Sequence, residues 1–151
     1  MSRSARIVID WADGTFPFRL TIEHLAELQE KTGAGPWYIQ WALSMMLVAA
    51  QGVLTPPKEA SPAYVVETIR LGLIGGGMEP VAALKKVRAY VGSGQLSEHI
   101  PLAFAIIGAA LQGVEEDEPE KPVAESASSE QSFPAVESGS LKSTESAPPS
   151  D

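Results

Sequence analysis

The sequence predicts a mainly α protein, a small bundle of about five helices with an N-terminal β-hairpin and a disordered acidic C-terminal tail. Three observations carry that prediction. Apolar residues alternate at period two between Arg6 and Leu20, recur at helical spacing in five later segments, and lose all periodicity beyond Gly113, where Glu, Ser, Pro and Ala take over. Charge divides at the same place. Residues 1–114 hold nine acids and nine bases, whereas residues 115–151 hold ten acids and two bases, so the formal charge of −8 lies in the tail. We therefore expect a helical domain over 1–114 and a tail over 115–151 too polar to offset its ordering entropy.

In the hairpin, Ile7, Ile9 and Trp11 face one side, as do Phe16, Phe18 and Leu20 after the turn dipeptide Asp13-Gly14. Pro17 cannot donate to a ladder, which predicts an open edge beside it. Thr21 reads as the N-cap of a first helix with an inward stripe of Ile22, Leu25, Ala26 and Leu28. Gly33 stops it, and Pro36 opens a second helix predicted to run to Gln51. That helix is apolar nearly all round, with only Gln40, Ser44 and Gln51 as a polar line, so it is either central in the core or buried against another chain. Trp37, Tyr38, Trp41 and Met45 on it are candidate interface residues, with core packing as the ordinary alternative for the two tryptophans.

A loop from Gly52 to Ala60 with Pro56-Pro57 breaks the helical pattern. Ser61-Pro62 then pairs an N-cap with a first-turn proline for a third helix, whose stripe is Val65, Val66, Ile69 and Leu73, with Glu67 and Arg70 outward. Gly72 on the apolar face predicts a close helix approach, because a mid-helix glycine costs about 1 kcal/mol relative to alanine. Gly75, Gly76 and Gly77 turn the chain into a fourth helix that buries Val81, Leu84, Val87 and Val91 and shows Lys85, Lys86 and Arg88 to solvent. Ser97 is expected to cap a fifth helix ending near Leu111. Ile106 lies on its second apolar side, a further candidate interface.

Composition narrows the function classes. A neutral domain with an acidic tail lacks the basic footprint that nucleic acid demands. No cysteine is present, so disulfides and thiolate metal sites are excluded. The longest apolar run, Trp37 to Ala50, is short of the roughly 20 residues that cross a bilayer, and the opening residues lack a secretory pattern. We expect a cytoplasmic protein with no membrane contact.

The glycines from Gly72 to Gly77 invite a phosphate-loop reading, but no lysine follows them and Glu79 stands where phosphate would be repelled. His24 with Glu27 gives two groups and no third ligand, and His99 beside Glu98 suits a capping or solvated role. No nucleophile-elbow pattern occurs. We therefore expect no catalytic residue, cofactor or metal, and read Gly72, Gly75, Gly76 and Gly77 as structural.

Several pieces in order carry a resemblance: Ala12-Asp-Gly14, Phe18-Arg-Leu-Thr-Ile22, Leu28-Gln-Glu-Lys-Thr-Gly-Ala-Gly-Pro36, Glu67-Thr-Ile-Arg-Leu-Gly-Leu-Ile-Gly-Gly-Gly77 and Ala109-Ala-Leu-Gln-Gly113. Together they resemble the gene transfer agent family of phage-type tail proteins, related to tail assembly chaperones, over about residues 6 to 114. The resemblance implies a small helical protein that acts without catalysis, coats the tape-measure protein and helps tail tube subunits polymerise. The same family is also labelled a phage tail tube protein, which implies instead a structural component of the tail, retained in the virion. A tube subunit is normally a β-rich ring-former, and one hairpin suits the chaperone better. Implied partners are the tape-measure protein, tail tube subunits and a second copy of the chain. A small-ligand protein or enzyme without a recognisable motif is the remaining alternative.

Overall fold

Alternating apolar residues need a surface to cover, and in the computed structural model, which describes residues 3–52 and 57–115, the helices supply it. Strands β1 (Arg3–Ser4), β2 (Ile7–Trp11) and β3 (Gly14–Phe18) precede helices α1 (Ile22–Thr32), α2 (Pro36–Ala49), α3 (Pro62–Gly75) and α4 (Pro80–Tyr90). A 3-10 turn (Leu96–His99) leads into α5 (Ile100–Gln112), and β4 (Val114–Glu115) follows. Among the described residues there are thus five α-helices and an N-terminal hairpin, the fold class expected. The predicted tail lies outside the described residues except for Glu115, and so does part of the Gly52 to Ala60 loop.

β2 and β3 pair antiparallel with Ile7 opposite Phe18 and Trp11 opposite Gly14. The two-residue turn is therefore Ala12-Asp13, one residue earlier than the Asp13-Gly14 expected. Ala12 takes a positive φ of 59°, at the loop position that glycine normally fills in a II′ turn. The apolar sides of both strands face inward: Phe18 is fully buried, and Trp11 meets Phe16, Phe18 and Tyr90 edge to face. A short pairing was not foreseen. Arg3 lies opposite Glu115 and Ser4 opposite Val114, so β4 ties the end of α5 to the start of the chain. The Arg3 guanidinium adds bonds to the Gln112 and Gly113 carbonyls.

The central helix is α3, which packs against α1, α2, α4, α5 and β3. Tyr64, Val65, Thr68, Ile69, Leu71, Gly72 and Leu73 are all buried on it. Glu67 and Arg70, expected outward, are half-buried instead. Arg70 holds Glu67 at 2.6 Å and reaches Glu27 of α1 at 3.7 Å. Local caps agree with the sequence: Thr21 accepts from the His24 N–H, Ser61 from Ala63, Glu79 from Ala82, and Gly33 closes α1 at φ 75°.

Helix faces agree less well. Ile22 and Ala26 of α1, and Val81 and Leu84 of α4, were expected inward and are exposed, while Ala83 and Val87 face the core. Ser97 caps no α-helix; it sits within the 3-10 turn, and α5 starts after His99. On the second apolar side of α5, Ile106 and Ala109 are buried against the rest of the bundle, while Ala105 and Ala110 are half-buried.

Candidate protein-binding face

The glycines place α3 against the hairpin. A Cβ on Gly75 would lie 1.8 Å from the Arg19 carbonyl oxygen, and one on Gly76 2.0 Å from that of Pro17, so only glycine lets α3 end on the outer edge of β3. Arg19 N donates to Gly72 O at 2.9 Å across the same contact, and Pro17 has no N–H to satisfy there. Gly72 does admit a neighbouring helix, with Ile106 of α5 3.0 Å and Phe18 3.3 Å from where its Cβ would stand. Gly77, at φ 120°, makes the turn toward α4. The hollow at this point, about 260 Å³, is lined by Phe16, Pro17, Leu73, Gly76, Gly77 and Met78. No convergent polar side chains meet in it, as a small-molecule site would require.

The two histidines and Lys86 have hydrogen-bond partners within the fold. His24 Nδ1 accepts from Thr21 N in a capping box, and His99 Nδ1 accepts from the Trp11 indole at 3.0 Å. Among the described residues no group of three or more His, Cys, Asp or Glu is placed to hold a metal ion. Lys86, expected in a basic solvent patch with Lys85 and Arg88, bonds Asp13 at 2.8 Å and lies over the rings of Phe16 and Tyr90. That bond holds the Asp13 carboxyl below its ordinary value.

Among the described residues, the exposed tryptophans lie on α2. Ile39, Ala42 and Leu43 turn inward, and Gln40 pairs reciprocally with Gln112 of α5 at 2.7 and 3.2 Å. With its amide satisfied between two helices, Gln40 takes an inner position, and the outer line passes to Trp37 and Trp41, which are 68% and 48% exposed. Tyr38 leans on Trp41 at 5.5 Å and meets Tyr64 edge-on at 6.2 Å. Removal from water raises its phenol pKa, with the Glu59 carboxylate adding to the effect. Met45, one turn beyond Trp41, is half-buried. Ile106 does not join them; at 1% exposure beside Gly72 it belongs to the core, and its place in the candidate interface is withdrawn.

Fold and surface define a mainly helical protein with a short hairpin and an uncovered aromatic line on one helix. A family model described as phage tail tube protein, GTA-gp10, matches residues 4–113, and the chain belongs to that family, the one its sequence resembles. It is thus a protein related to the tail tube of phages and gene transfer agents. No curated protein and no solved structure matches the chain. Among the described residues no helix is long and apolar enough to cross a membrane.

Proposed function

We propose that this chain is a non-catalytic tail assembly protein that binds the tape-measure protein through the outer line of α2, with Trp37, Tyr38, Trp41 and Met45 as anchors. The observation that carries the reading is the pair of tryptophans one turn apart, both turned to solvent on a helix with hardly any polar side chains. Exposed aromatics at helical spacing suit a long helical partner, laid against the face as a ridge in a groove. The bound partner stays soluble in the cytoplasm until the tube forms around it, and tube subunits are the second expected contact. In this reading residues 1–114 hold all the binding chemistry, and the acidic residues 115–151 act as a solubilising appendage.

Co-expression with the tape-measure protein of the same locus tests it. Trp37→Ala and Trp41→Ala are each expected to weaken co-purification by about 2 kcal/mol or more, as interface anchors do, with thermal unfolding little changed. A partner that neither co-purifies with the wild-type chain nor gains solubility from it would refute the proposal.

A structural role in the finished tail is the second reading, and the family description favours it. Mass spectrometry of purified particles separates the two. A structural subunit appears in many copies, whereas an assembly protein is absent or scarce.

A further inference from the structure

The hairpin has one covered edge and one open edge. Residues 17 and 19 of the β3 side turn their backbone groups toward α3, since Arg19 N bonds Gly72 O and the Pro17 carbonyl meets Gly76. Val8 stands opposite Pro17. Alternation along an antiparallel pair then directs the N–H and C=O of Val8, and those of Arg6 and Asp10 on either side, away from β3, and the Arg6 N–H bonds the Ser4 hydroxyl at 3.0 Å, a contact that a pairing strand would replace. Among the described residues no strand pairs with that side of β2. The side chains of Arg6, Val8 and Asp10 are exposed, Val8 at 52%. Below the edge runs a groove of about 540 Å³ between β2 and α5, with Ile7, Ile9, Phe104, Ala105 and Gly108 on its walls.

Open edges are commonly guarded by like charges, proline or a bulge. Here the alternate positions read basic, apolar, acidic, which is a self-complementary order when the strand is reversed. We propose that β2 pairs with β2 of a second copy, antiparallel about a two-fold axis at Val8, to build one continuous four-stranded sheet. Val8 then faces Val8, and Arg6 of each copy faces Asp10 of the other, so both charged pairs fix the register. A shift by two residues breaks both pairs, and no like-signed edge resists the matched one. The α5 helices of the two copies lie on the same side of the joined sheet, and the small Ala105 and Gly108 leave room where the grooves merge. This contact uses the hairpin and a groove that α2 borders only through Gln40, away from Trp37 and Trp41, so its outcome is separate from that of the partner proposed above.

Sedimentation of the full chain at physiological salt, where tail repulsion is screened beyond about 8 Å, reads the proposal. The wild type is expected to be a dimer at micromolar concentration. Arg6→Asp and Asp10→Arg each set like charges across the axis, and each alone is expected to weaken the dimer by about tenfold or more. Mixing the two variants restores it, because an all-acidic edge meets an all-basic one. The chain has no cysteine, so Val8→Cys gives a single cross-link between copies if the axis is placed correctly. A wild type that stays monomeric, charge variants that dimerise as well as the wild type, or a mixture that forms no heterodimer overturns the proposal.

Discussion

At Gly75 and Gly76 the atoms in the way of a side chain belong to backbone, the carbonyls of Arg19 and Pro17. Backbone held by β3 at Pro17 and by the Arg19–Gly72 hydrogen bond cannot move aside freely, so Gly75→Ala and Gly76→Ala are each expected to cost about 3 kcal/mol or more, seen as a large drop in the unfolding midpoint. Gly72 differs, because its neighbours are the ends of the Ile106 and Phe18 side chains. Gly72→Ala is expected within about 1 kcal/mol of the wild type, since helix propensity offsets crowding, while Gly72→Leu loses about 1 to 3 kcal/mol. Thr68 offers a change of the other sign. Among the described residues its buried hydroxyl finds no hydrogen-bond partner, and Thr68→Val, which keeps the shape and removes the polar atom, is expected to stabilise by about 1 kcal/mol. The sequence marks these glycines as structural because no lysine accompanies them, but their real neighbours lie more than thirty residues away and leave no local trace.

Among the elements, the hairpin turn carries a cost that one substitution can lift. Ala12 at φ 59° bears roughly 1 kcal/mol of crowding that glycine avoids, and Ala12→Gly is expected to raise the unfolding midpoint by a few degrees. The same turn is tied to α4 by Asp13 and Lys86. Asp13 has its pKa lowered from 3.8, chiefly by that hydrogen bond, so the bond stabilises the fold above the unfolded value and is lost as pH falls through the lower folded one. Asp13→Asn should therefore be less stable than the wild type near neutrality, and the two curves should converge well below pH 3.8. Caps at Thr21 and Ser61 and the stop at Gly33 were legible because a cap is made by residues two to four apart. The inward faces of α1 and α4 were not, since apolar spacing gives a stripe but not which part of it a neighbour covers, and Ile22, Val81 and Leu84 stay exposed. Lys86 was misplaced for the opposite reason: two aromatic rings and a carboxylate from the hairpin and its own helix cover a charge that looks solvated in sequence.

For the molecule as a whole, the order of burial reverses what a count of apolar residues per helix suggests. α2 has barely a polar residue, yet it lies at the periphery with two tryptophans outward; α3, carrying Glu67 and Arg70, lies at the centre. Local pattern reports which residues prefer to leave water, while the choice of central helix follows from glycines that admit neighbours on several sides. The apolar pattern of α2 left open whether Trp37 and Trp41 face the core or solvent, and they are exposed; the burial of Ile106 was not legible, because its partner is the missing side chain of Gly72. The junction between α3 and β3 also sets an order of events in time. A two-stranded ribbon is marginal alone, and this one leaves the ribosome some fifty residues before Gly72 to Gly76 can receive its edge. Both of its edges are therefore unpaired through about half of the domain's synthesis. Closing so long a loop is slow, and the hairpin is expected to be the last part to gain protection from hydrogen exchange during refolding, with α3 protected before it.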